Sequence, residues 1–98
     1  RRGQVKGCVV DGPLALDNAI SAESAKIKKI VSEVAGDADI LVVPNIEAGN
    51  VLYKSLVDLG RAKCAAVVMG AAKPVVLTSR ADTAETKLAS IALAALAS

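Results

Sequence analysis

Lys73-Pro74-Val75-Val76-Leu77-Thr78-Ser79-Arg80-Ala81-Asp82-Thr83-Ala84-Glu85 is the stretch on which the reading of this chain turns. Pro74 opens a short apolar run, Val75 to Leu77, with the composition of a buried strand. The run enters Thr78-Ser79-Arg80. Asp82-Thr83-Ala84-Glu85 then has the pattern of a helix start, in which an Asp82 N-cap and a Glu85 three residues later satisfy orphan backbone donors reciprocally. The sequence therefore predicts strand, polar turn and helix in succession. Two hydroxyls and a guanidinium fall near a helix N-terminus, where backbone N–H groups and the helix dipole favour an anion such as phosphate. Arg80 suits that task better than Lys would, because its planar fork grips two oxygens at once. The plainer alternative makes Arg80 a solvated turn residue and Asp82 and Glu85 a capping box with no chemistry.

Composition narrows the classes. The chain has 98 residues, 53% of them hydrophobic, yet one Tyr and neither Phe nor Trp. A core without large rings must be built from Val, Ile, Leu and Ala, which allow close helix-to-sheet approach. One small domain of this length buries roughly two-thirds of its surface on folding. The formal net charge is +2 with both signs interspersed. That excludes the basic stripe and stacking rings that nucleic acid usually requires. The apolar runs at 65–69 and 91–97 are far shorter than a membrane span, and no leader pattern is present. A cytoplasmic protein, read as a fragment because it begins at Arg1, is the expectation. Cys8 and Cys64 lack metal-ligand spacing and are expected to be reduced, small core residues. With no His in the chain, neither a Ser–His nor a Cys–His nucleophile can be assembled from it. Acid–base work would fall to Asp, Glu, Lys or Tyr, and no metal is expected.

Elements alternate along the chain. Residues 8–10 read as a short strand closed by Asp11-Gly12-Pro13. Ser21 reads as an N-cap, with Ile27, Ile30, Val31 and Val34 on one helical face that stops at Gly36. Residues 38–43, with the unbroken apolar run Ile40-Leu41-Val42-Val43, read as a strand covered on both faces, followed by the loop Asn45-Ile46-Glu47-Ala48-Gly49-Asn50. A helix is expected over 51–59, a strand over 65–69, the strand from 75, and a last helix from about Thr83 to Ala97. This alternation predicts an α/β domain with a mainly parallel sheet flanked by helices. The loops at 44–50, 70–73 and 78–82 would then all lie beyond strand ends and converge on one crevice. The five residues between the last two strands allow a hairpin instead, which would carry the 70–73 loop to the opposite edge.

Several segments in this order are similar to phosphate butyryltransferases. They are Asp11-Gly12-Pro13-Leu14-Ala15-Leu16-Asp17-Asn18-Ala19, Gly36-Asp37-Ala38-Asp39-Ile40-Leu41-Val42-Val43-Pro44, Glu47-Ala48-Gly49-Asn50 and Leu77-Thr78-Ser79-Arg80-Ala81-Asp82. Phosphate acetyltransferases resemble the chain more distantly. The resemblance implies an acyl transfer between coenzyme A and inorganic phosphate by direct attack in a ternary complex. Coenzyme A would be a substrate, with no covalently bound cofactor. It implies Arg80 as phosphate clamp and Ser79 as donor at the reacting centre. Glu85 is the nearest equivalent of an acid that follows Ser-Arg in the acetyltransferases, with Asp82 the alternative base. Gly49, Asn50, Asn45, Lys73 and Thr78 would bind substrate or coenzyme. It further implies a two-domain isocitrate/isopropylmalate dehydrogenase-like fold and a homo-oligomer. The chain would be a C-terminal portion lacking the N-terminal part of the enzyme. Residues 1–74 would complete one α/β domain, and 75–98 would return to the other. A non-catalytic anion- or coenzyme-binding domain of the same fold is the rival, favoured by Asn45 where the family commonly has Asp.

Overall fold

In the computed structural model, which describes residues 2–98, regular structure is helical: α1 (Leu16–Ile20), α2 (Ala22–Ile27), α3 (Ile46–Lys54) and α4 (Ala84–Ala97). Arg1 lies outside the described residues. The chain divides into two compact units, one ending at Val43 and the other spanning Pro44–Ser98.

In the first unit, Ser21 caps α2 as expected, its Oγ accepting from the Ser24 N–H at 3.2 Å. The helix ends at Ile27 rather than running to Gly36. Lys29 adopts φ 54°, its N–H donates to the Lys26 carbonyl, and the Ile30 N–H reaches back to Ala25. Those two bonds are a Schellman termination, built here on a lysine instead of the usual glycine. Gly36 instead closes a turn over α1. Its N–H donates to the Asn18 carbonyl at 2.8 Å, and a Cβ there would meet the Ala22 Cα at 2.5 Å. Only glycine fits so close an approach, and its φ of +80° asks for glycine as well. Asn18, Ala19 and Ala25 form the buried centre of this unit.

Lys28 Nζ reaches Asp17 Oδ2 at 2.7 Å and ties α2 to α1. That hydrogen bond, chiefly, holds the Asp17 carboxyl below its ordinary 3.8. A lowered folded-state value means that the pair stabilises the fold above 3.8 and fades as pH falls through the folded-state value. Asp17→Asn is therefore expected to remove a component of acid unfolding below pH 3.8. The effect is small, because both side chains are about half exposed. Superimposable acid titrations of the variant and the wild type, followed by far-ultraviolet circular dichroism, would show that the pair contributes nothing.

The second unit departs from the expected strands. Among the described residues no segment forms a strand in a sheet, and the 65–69 and 75–78 runs meet only at an antiparallel bridge. There Val68 and Val75 exchange N–H···O bonds at 2.8 and 3.2 Å. The parallel relation expected for these two runs is corrected to a hairpin, because five residues cannot make a crossover. Residues 8–10 and 38–43 have no ladder partner among the described residues, and a strand has no regular structure without one. Cys8 is exposed and Cys64 half-buried, both as free thiols, so Cys8 is not the core residue expected.

The segment 45–50, expected as a loop, is the start of α3. Asn45 is its N-cap, Oδ1 accepting from the Ala48 N–H at 2.9 Å. The helix loosens into a π-helical turn over Ser55–Leu59, and Gly60 then ends it. At α4 the cap is Thr83 and not Asp82: Thr83 Oγ1 accepts from the Thr86 N–H at 3.1 Å. α4 turns its polar stripe inward. Thr86 and Ser90 are buried, and Ser90 Oγ accepts from the Ala66 N–H at 3.0 Å while donating to the Thr86 carbonyl at 2.8 Å. Ser90→Ala would leave the Ala66 N–H without its acceptor. In the full-length protein it is expected to cost about 1–3 kcal/mol, read as a lowered urea midpoint at unchanged slope. An unchanged midpoint would mean that another acceptor replaces the hydroxyl.

Candidate active site

The polar turn at 78–82 is tied at both ends. The Asp82 N–H donates to the Ser79 carbonyl at 3.1 Å. In return Asp82 Oδ2 accepts from the Ser79 N–H at 2.7 Å. Ser79 Oγ accepts from the Ala81 N–H at 3.3 Å, which leaves its proton available to a ligand. Arg80 sits at the tip of this ring, exposed, and makes no ion pair among the described residues. Thr78 is half-buried just before it. The turn feeds directly into α4, so a free guanidinium, a hydroxyl and a helix N-terminus stand together.

Two carboxylates, Asp82 and Glu85, lie close to Arg80 in the chain. Glu85 lies in the first turn of α4, where its charge complements the helix dipole. Lys63 Nζ approaches Glu85 Oε1 at 3.5 Å, both side chains largely exposed. Asp82 is half-buried, and its other oxygen, Oδ1, accepts from the Tyr53 hydroxyl of α3 at 3.0 Å. Burial first, and then this carboxylate neighbour, push the Tyr53 phenol above its ordinary 10.0. By sequence Tyr53 is only one of the residue types able to do acid–base work, with nothing to tie it to this turn. The only available signal was that it is the one aromatic ring in the chain.

The remaining expected site residues divide. Gly49 and Asn50 lie within α3, and the Gly49 N–H is spent on the Asn45 carbonyl at 3.1 Å. They are therefore not an open loop of free amides, although Asn50 stands one turn before Tyr53 on neighbouring helical positions. Asn45 is the exposed cap of that helix. Lys73 does not join the group. It lines a shallow hollow of about 140 Å³ with Met69, Gly70, Pro74 and the Ala97 and Ser98 end of α4. Arg80 precedes the opposite end of that 14-residue helix, which is about 21 Å long. The hairpin at Val68 and Val75 is the reason, since it turns the 70–73 loop back to the far edge. No group of three or more His, Cys, Asp or Glu among the described residues could hold a metal ion. No helix among them is long and apolar enough to cross a membrane.

Comparison with known proteins gives the turn its context. The model of the phosphate acetyl/butaryl transferase family matches residues 1–95. A probable phosphate butyryltransferase of Bacillus subtilis (strain 168) is 65% identical over all 98 residues, which make up 33% of that protein. A phosphate acetyltransferase of Thermotoga maritima is 62% identical over 98% of this chain and 33% of its own length. The crystal structure of a branched-chain phosphotransacylase from Enterococcus faecalis V583 superposes with a TM-score of 0.78. The match is 50% identical and covers 86% of this chain and 32% of that one. The chain thus spans about a third of the length of these relatives.

Proposed function

Since the chain belongs to the phosphate acetyl/butaryl transferase family, we propose that it is part of an enzyme moving a short-chain acyl group, butyryl or similar, between coenzyme A and inorganic phosphate. The observation that carries this reading is Arg80, exposed and without an ion pair among the described residues, at the tip of a tied turn that opens α4. A phosphate oxygen attacks the thioester carbonyl carbon, the carbon–sulfur bond breaks, and the proton released by phosphate ends on the coenzyme A thiolate. Acyl phosphate and free coenzyme A result. Arg80 holds phosphate by its fork, the Ser79 hydroxyl donates at the reacting centre, and the α4 N-terminus favours the anion. Glu85 is the acid proposed to take the proton. Asn50 and Thr78 line the approach of the coenzyme. The gain is that of holding two anionic reactants in one geometry and stabilising the charge that develops.

In this reading residues 1–74 complete one α/β domain and residues 75–98 return to a second, in an isocitrate/isopropylmalate dehydrogenase-like enzyme. The apolar runs at 38–43 and 65–69 gain strand partners from the rest of that protein, as a parallel sheet requires. The enzyme works as a homo-oligomer in the cytoplasm, where both substrates are free. The test is phosphate-dependent release of coenzyme A thiol by the full-length protein, across acetyl, butyryl and branched acyl donors. Release from butyryl or branched donors is expected. No phosphate-dependent release from any donor would leave the rival, a non-catalytic anion- or coenzyme-binding domain.

A further inference from the structure

Asp82 has both carboxylate oxygens occupied. Oδ2 takes the Ser79 N–H at 2.7 Å and Oδ1 takes the Tyr53 hydroxyl at 3.0 Å. Its own N–H returns to the Ser79 carbonyl at 3.1 Å. Ser79 and Asp82 are therefore joined twice, and Arg80 and Ala81 are enclosed between them. A turn closed only on itself could still swing as a body. The Tyr53 bond prevents that, because it spans 29 residues and anchors the turn to α3. A phenol rotates about only two side-chain torsions, so this anchor costs little conformational entropy. We infer that Asp82 and Tyr53 are positioning residues, holding the Ser79-Arg80 turn in the orientation that receives phosphate, and that Asp82 is not the base.

A carboxylate that takes up a proton loses its charge, and with it the strength of the charge-assisted bonds it accepts. Asp82 accepts one such bond on each oxygen, from main chain and phenol, so abstracting a proton would slacken the ties that orient the turn. Tyr53 is half-buried. It donates its proton to Asp82, and its raised titration agrees with a hydroxyl that stays protonated. A clamp mispositioned by 1 Å loses far more than the worth of one hydrogen bond. The network's effect should therefore fall on phosphate and leave the thioester partner almost untouched.

This inference rests on the proposed acyl transfer, so its test has an arm that does not need activity. In the full-length protein, Tyr53→Phe removes one hydroxyl, and Asp82→Asn removes the charge and one of the two acceptors. Both are expected to raise the KM for phosphate, by roughly 10-fold for Asp82→Asn and less for Tyr53→Phe. The KM for acyl-coenzyme A should stay within about twofold, and the acidic limb of the kcat profile should stay in place. Hydrogen exchange over residues 78–83 should speed up in both variants. A collapse of kcat in Asp82→Asn with loss of the acidic limb would make Asp82 the base and overturn the inference. Unchanged exchange in both variants would also overturn it. If the wild type releases no coenzyme A, the acyl-transfer reading fails by itself. Exchange then decides the positioning role: faster in both variants supports it, unchanged overturns it.

Discussion

Arg80→Ala in the full-length enzyme is expected to lower kcat/KM for phosphate by about 10²-fold to 10³-fold, the range for losing a charge-assisted clamp at a site of developing charge. Arg80→Lys should fall between, raising the phosphate KM and lowering kcat together, because a point charge cannot reproduce the two-pronged grip. The KM for the acyl donor should change little. Stability gives the control. Arg80 is exposed and makes no ion pair among the described residues, so its removal should shift folding by no more than about 0.5 kcal/mol. Steady-state kinetics with phosphate varied, set beside a urea titration, separates a lost clamp from a damaged fold. Unchanged kinetics in Arg80→Ala would end the assignment, and so would a large fall in stability that accounts for the lost rate.

Helix starts were the most legible part of the fold, because each is written in a few consecutive residues. Ser21 was read as a cap and is one, and the expected helix from about Thr83 to Ala97 is α4 almost residue for residue. The errors at these points are local competitions. Thr83 took the cap from Asp82 once Asp82 was engaged by Ser79 and Tyr53. Asn45 carried a cap signal that was outweighed by Gly49 and Asn50, both loop-forming in isolation. Nothing in the Lys-rich run announced that Lys29 would adopt a left-handed conformation and end α2. Strand runs were readable as composition only, because a strand is defined by its partner and 38–43 has none among the described residues.

The site was legible to the same depth. Ser79, Arg80 and the start of α4 are contiguous in sequence, so their juxtaposition follows from local rules. Tyr53 is 29 residues from Asp82, and no local pattern connects the two. Lys73 failed for a topological reason: it was placed by assuming parallel strands, and the Val68–Val75 bridge is antiparallel.

The 98-residue chain expressed alone is expected to self-associate and to release no coenzyme A. α4 buries Thr86 and Ser90 while Leu88, Ile91 and Leu96 stay exposed, Leu96 at 86%. This is the reverse of an amphipathic surface helix, which hides its apolar stripe. The run before α3 is similar, with Ile40 at 80% and Val42 at 92% exposure. Apolar side chains left exposed in this way drive association when their natural cover is missing. The remainder of a family-length enzyme is the proposed cover, and the cleft between its domains would be incomplete without that remainder. Sedimentation velocity of the isolated chain should therefore show oligomers or aggregate, and Leu96→Glu with Leu88→Glu should shift it toward monomer. A compact monomer that releases coenzyme A from butyryl-coenzyme A and phosphate would overturn both parts. It would mean that these faces are covered within the chain and that the Arg80 turn suffices for the chemistry.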